Sequence, residues 1–97
     1  MNRSAYDIIL APIETEKSLQ DIELNNRYTF KVDIRANKTE IRQAIEEIFD
    51  VKVEKVNTMR IQGKKVRMGR FEGKRPDWKK AMVTLKPNYK IDVFTGI

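Results

Sequence analysis

Residues 27–49 run RYTFKVDIRANKTEIRQAIEEIF. In the first eight, Tyr28, Phe30, Val32 and Ile34 alternate with Thr29, Lys31 and Asp33. That is the period of a half-buried strand, and aromatic and β-branched residues suit a pleated surface. The period then changes. Ile41, Ala44, Ile45, Ile48 and Phe49 fall at i, i+3, i+4, i+7 and i+8, one apolar face of a helix over Lys38–Phe49. Asn37 stands at the N-cap, and Glu40 three residues on completes a capping box. The other helix face, with Arg42, Gln43, Glu46 and Glu47, is expected to be solvated. A strand and a helix that are each apolar on one side must pack on one another, so the class is α+β.

The rest of the chain extends this pair. Residues 51–61 form a second strand. Val51 and Val53 are in phase with Met59 and Ile61 while Val56 is not, which calls for a bulge near Lys55 or for cover on both faces. Residues 79–86 form a third strand, with Ala81, Val83 and Leu85 toward the core and Met82 and Thr84 away from it. Strands joined by a loop and paired as neighbours are antiparallel, so 51–61 and 79–86 make a hairpin with an enlarged tip. Upstream, residues 6–10 give a short strand that stops before Pro12. Thr15 caps a weak helix to about Leu24, buried through Leu19, Ile22 and Leu24 and broken by Asn25-Asn26. The C-terminal segment, with Tyr89, Ile91, Val93 and Phe94, packs as a tail. The expected fold is an α/β sandwich with a four-stranded, mainly antiparallel sheet, two helices and an extended basic hairpin loop. It forms a single domain over residues 1–97, with no internal repeat.

Composition narrows the function. The chain has 20 Lys+Arg against 14 Asp+Glu, a net charge of +6, and neither His nor Cys. Cys/His zinc sites, disulfides, thiol nucleophiles and imidazole acid–base catalysis are therefore excluded. The longest apolar run, residues 8–11, is too short to span a bilayer, and the N-terminus lacks a signal-peptide pattern. The expectation is a small, soluble, intracellular basic domain. Its charge is concentrated. Residues 62–80 hold 8 bases (Lys64, Lys65, Arg67, Arg70, Lys74, Arg75, Lys79 and Lys80) against Glu72 and Asp77, while the remainder balances at 12 bases and 12 acids. This stretch also contains Gly63, Gly69, Gly73 and Pro76, and it is expected to be an extended loop or irregular hairpin. Long loops in compact domains are usually functional or disordered, and the plain alternative here is a solvated, mobile loop whose charge only aids solubility. Lys and Arg supply phosphate contacts, and Phe71 and Trp78 offer stacking surfaces.

Recognisable catalytic motifs are missing. The phosphate-loop spacing fails at residues 69–75, no G-x-S-x-G elbow exists, and the RNP1 pattern of an RRM is absent. No cofactor or metal is expected, and the chain is not expected to be an enzyme.

A series of short motifs resembles a known family. It runs Thr15-Glu16-Lys17-Ser18, Tyr28-Thr29-Phe30-Lys31-Val32-Asp33, Ala36-Asn37-Lys38-Thr39-Glu40-Ile41 and Phe49-Asp50-Val51-Lys52-Val53. It continues with Val56-Asn57-Thr58, Gly63-Lys64-Lys65-Val66-Arg67-Met68-Gly69, Asp77-Trp78-Lys79-Lys80-Ala81 and Val83-Thr84-Leu85. Together they resemble the bacterial form of the ribosomal large-subunit protein twenty-three family over nearly the whole chain. One departure is Asn88-Tyr89-Lys90 after Pro87, where the family often has a Gly.

The resemblance implies a structural component of the large ribosomal subunit. It would bind large-subunit rRNA in its third domain, at the rim of the peptide exit tunnel, and project a hairpin loop, here residues 62–78, toward the tunnel. It implies cytoplasmic ribosomes as the location. The implied partners are a neighbouring large-subunit protein, number twenty-nine, together with trigger factor, the signal recognition particle and the protein-conducting channel. Glu16 matches the family's docking acid, and Asp50 matches a second exposed acid near it.

The candidate rRNA contacts are Lys64, Lys65, Arg67, Arg70, Phe71, Lys74, Arg75, Trp78, Lys79 and Lys80. Lys17, Arg35 and Lys38 join them because they lie in family motifs near element ends. Trp78 either stacks on a base or caps the core, and Glu16 has the plain alternative of a first-turn helix acid. Two other classes compete. One is a free-standing RNA-binding protein. The other is a small acylphosphatase-like enzyme, for which an Arg-bearing glycine loop after the first strand is lacking.

Overall fold

The structure, a computed structural model, describes residues 4–91. In chain order the elements are α1 (Ala5–Ile8), β1 (Ile9–Pro12), α2 (Glu16–Asn25), β2 (Arg27–Val32), α3 (Lys38–Phe49), β3 (Val53–Ile61), β4 (Lys65–Met68), β5 (Phe71–Lys74) and β6 (Trp78–Leu85). Four strands form an antiparallel sheet in the order β1-β2-β6-β3, and β4 and β5 form a separate two-stranded hairpin. The α+β sandwich expected from the sequence is present.

Alternation fixes which side of the sheet is covered. Phe30 lies opposite Ala81, and Tyr28 opposite Val83, which in turn faces Val56 on β3. All are buried, and they share one core with Ala5 and Ile8 of α1 and Ile41, Ala44 and Ile45 of α3. Phe30 is fully buried, and its ring lies 5.7 Å from that of Phe49 on α3. The register of β3 shifts between Val53 and Lys55, so the out-of-phase Val56 has the first of its two expected explanations, a bulge.

The capping signals hold. Asn37 Oδ1 accepts from the Glu40 amide at 2.8 Å, and Glu40 Oε1 accepts from the Asn37 amide at 3.1 Å. Thr15 and Ser18 make the equivalent reciprocal pair for α2, at 2.7 and 3.1 Å. Asn26 ends α2 in the left-handed region, φ 52°, and its Nδ2 donates to the Tyr89 carbonyl at 3.1 Å.

Several expectations change. Residues 6–10 are not a plain strand: Ser4 caps a single helical turn that passes directly into β1, giving three helices rather than two among the described residues. The buried residue of α2 is Ser18, whose hydroxyl donates to the carbonyls of Ile13 and Thr15. Leu19 and Leu24 are exposed, and Ile22 is partly buried against the core. The face of α3 expected to be only solvated is in part tied down. Glu46 Oε2 accepts from the Val53 amide at 3.0 Å beside the bulge, and Arg42 Nη2 donates to the Glu54 carbonyl at 3.1 Å. In the tail, Ile91 is buried and its amide donates to the Tyr28 hydroxyl at 3.1 Å, whereas Val93 and Phe94 lie outside the described residues.

The basic stretch is more regular than a loop. Lys65 pairs with Lys74, Val66 with Gly73, Arg67 with Glu72 and Met68 with Phe71, around a turn at Gly69-Arg70. Gly69 has φ +62°, a value glycine adopts at no steric cost. The radius of gyration, 14.9 Å, exceeds the roughly 12.5 Å expected of a compact chain of this length, as a projecting arm requires.

Candidate nucleic-acid interface

Two features place the cationic residues, the base of the hairpin and the sheet face turned away from α3.

The base is clamped. The Gly63 amide donates to Asp77 Oδ1 at 2.9 Å, and the Arg75 amide donates to the Lys64 carbonyl at 3.0 Å. Gly63 must be glycine here, since a Cβ would fall 1.6 Å from the Arg75 carbonyl oxygen. Lys74 Nζ and Arg60 Nη2 lie 3.3 and 3.8 Å from the Asp77 carboxylate. The Gly63 hydrogen bond, helped by these two cations and opposed by partial burial, holds Asp77 below its ordinary carboxylate value.

From this base Lys64, Lys65, Arg70, Lys74 and Arg75 are all exposed. Arg67 and Phe71 are paired in the hairpin backbone, but their side chains lie outside the described residues.

The sheet face turned away from α3 carries the even-numbered positions of β6. Half-buried Trp78 and Lys80 point there, with buried Thr29 and exposed Lys31 from β2 and half-buried Asn57 and exposed Met59 from β3. Lys31 and Lys80 are direct cross-strand neighbours. Like charges in that position are destabilising. Lys31 Nζ also stands 6.0 Å from the centroid of the Trp78 ring. Of the two readings of Trp78, capping the core is set aside: the ring is half-buried on the outer face and is not part of the core cluster.

Lys79 faces the other way. Its Nζ donates to the Ala36 carbonyl at 2.6 Å and ties β6 to the β2–α3 connection. Its ammonium is thus engaged within the chain, unlike that of Lys80.

Hairpin base and sheet face meet in a cleft of about 980 Å³. Its cations are Lys31, Lys64, Lys65 and Arg75, and its apolar wall includes Ile61 and Trp78. The carboxylates of Asp33 and Asp77 also line it. Asp33 accepts from the Arg35 amide at 2.9 Å, and Asp77 is clamped as described.

The remaining candidates lie elsewhere on the surface. Lys17 is exposed on α2. Lys38 opens α3. Arg35 is 79% exposed, with its guanidinium 3.6 Å from Asp33. Glu16 is the first residue of α2 and is exposed, and Asp50 is the exposed, left-handed C-cap of α3, φ 53°.

Sequence reasoning missed Lys31 as a site residue and Asp77 and Gly63 as the clamp. Lys31 was legible as an outward strand position. Its neighbour Lys80 comes from the β2–β6 pairing, which alternation does not encode.

These features define a class, a small basic α+β protein whose cations gather on an arm and on the sheet face turned away from α3. The family model described as Ribosomal protein L23 matches residues 7–93. Curated relatives agree. The chain is 55% identical over 93 residues to "Large ribosomal subunit protein uL23" of Desulforudis audaxviator, covering 96% of this chain and 97% of that one. It is 50% identical over 95 residues to the protein of that name from Thermus thermophilus, covering 98% of each. The chain belongs to the ribosomal protein L23 family.

Proposed function

We propose that this chain is a structural component of the large ribosomal subunit in the cytoplasm. It would grip large-subunit rRNA between its cationic hairpin and the sheet face turned away from α3, with the contact in the rRNA's third domain at the exit-tunnel rim. The observation that carries the reading is the Lys31–Lys80 pair. Two lysines side by side on the outer sheet face cost stability alone and become favourable when a phosphate bridges them. Lys64, Lys65, Arg70, Lys74 and Arg75 extend the same positive surface along the arm.

The contact set therefore gains Lys31 and gives Lys79 a structural role, with Lys80 and Trp78 kept. Arg67, Phe71, Lys17, Arg35 and Lys38 are proposed as peripheral contacts, as their motifs imply. Glu16 and Asp50 are proposed as docking acids for trigger factor, the signal recognition particle and the protein-conducting channel. Support for this is the motif resemblance and the exposure of both carboxyl-bearing residues at helix ends. Large-subunit protein twenty-nine is the proposed neighbour. The relatives are ribosomal proteins by name, which favours this reading over the small enzyme and the free-standing regulator.

The test is gradient fractionation of cells carrying a tagged chain. Stoichiometric co-migration with large subunits is expected, and a tagged chain found only in free or substoichiometric fractions would reject the reading.

A further inference from the structure

The cleft at the hairpin base differs chemically from the arm. An arm of lysines and arginines neutralises phosphates of any RNA, paired or not. The cleft adds an aromatic face and apolar walls to its cations. At about 980 Å³ it is at the upper end of the roughly 300–1,000 Å³ typical of small-ligand sites.

We propose that this cleft holds an unpaired RNA nucleotide, its base stacked on Trp78 and its phosphate held by Lys31 and the hairpin-base cations. This deepens, and rests on, the rRNA-binding reading above. Three observations support it. Trp78 presents its ring to the outer face, half-exposed and outside the core, so a π-surface is available. The Lys31 ammonium stands 6.0 Å from that ring, a flexible cation that a base can displace toward its own phosphate. The two acids of the cleft are each paired with cations from outside its lining, Asp33 with Arg35 at 3.6 Å and Asp77 with Lys74 and Arg60 at 3.3 and 3.8 Å, so the cleft's own four cations are left for a phosphate. A duplex keeps its bases stacked internally and cannot offer one to Trp78. The cleft is thus a selector for unpaired RNA, whereas the arm is indifferent.

Trp78 is the sole tryptophan of the chain, so its fluorescence reports the site directly. The full chain is titrated with octauridylate and, separately, with a fully paired RNA duplex of equal phosphate number. Octauridylate is expected to quench Trp78 strongly, and the duplex to bind with little quenching. Trp78→Ala is expected to lower octauridylate affinity about tenfold while leaving duplex affinity unchanged, with Trp78→Phe within about threefold of the original. Equal quenching by both RNAs, or an unchanged octauridylate affinity in Trp78→Ala, overturns the inference and leaves RNA binding standing. Failure of both RNAs to bind at low salt overturns the inference and the rRNA reading together.

Discussion

Asp77 accepts a hydrogen bond from the Gly63 amide at 2.9 Å, which joins the strand entering the cationic hairpin to the strand leaving it. The two residues are fourteen positions apart, with the whole arm between them. An isolated two-stranded hairpin is marginally stable in water. The clamp supplies what the short β4–β5 ladder lacks, a fixed root in the four-stranded sheet. It also sets the cleft, since Lys64 and Arg75, the residues just beyond it, are held together by the hydrogen bond that the Arg75 amide donates to the Lys64 carbonyl.

Gly63→Ala is therefore expected to be disruptive although it adds a single methyl group. The new Cβ would lie 1.6 Å from a backbone carbonyl, so the strands must part. A loss on the order of 2–3 kcal/mol is expected from urea unfolding, as for other forced overpacking. Amide shifts should change at residues 62–65 and 74–77 and remain unchanged in α3.

The clamp should respond to pH. Asp77 titrates below its ordinary value, chiefly because of the Gly63 hydrogen bond. A depressed carboxylate contributes stability that is present above its unfolded value and lost as pH falls through the folded one. The Gly63 amide resonance should hold its position through the ordinary Asp range and move only below it. In Asp77→Asn that acid transition should disappear.

Lys79 and Lys80 are adjacent in sequence and opposite in role. Lys79→Met leaves the buried-side carbonyl of Ala36 without its donor and should cost about 1–3 kcal/mol in stability. Its effect on the salt dependence of RNA binding should be negligible. Lys80→Ala should do the reverse, with stability unchanged or slightly raised by relief of Lys31.

Phe30→Ala should remove the centre of the core. Phe30 is fully buried between the sheet and Phe49, and truncation should cost about 3–5 kcal/mol. For a chain this small that approaches the whole stability, and a broad or absent thermal transition is the expected readout.

The fold was legible where local periods are long. The strand at Tyr28–Phe30–Val32 and the helix with its Asn37–Glu40 box follow from spacing and capping, and the structure keeps both. The N-terminal turn at Ala5–Ile8 was not legible, because four residues carry no helical period. The hairpin strands β4 and β5 are also four residues each, too short for alternation to separate them from loop. At the candidate site the charge count located the arm, since the excess sits in residues 62–80. It could not find the sheet-face half. Lys31 and Lys80 are 49 positions apart and meet through β-pairing alone. Nor could a charge count tell Lys79 from Lys80: alternation with Ala81, Val83 and Leu85 puts Lys79 on the core side, but its bond to the Ala36 carbonyl depends on the β2–α3 connection lying beside β6.

The most direct measurement is the salt dependence of binding between the full chain and a fragment of large-subunit rRNA, for the original chain and for Lys31→Ala/Lys80→Ala. Each lost phosphate contact lowers the log–log slope by roughly 0.7–0.9. The double variant should lose about 1.4–1.8 in slope while unfolding at the same or a higher temperature. An unchanged slope would contradict the sheet face as an RNA contact, and with it the grip between arm and sheet.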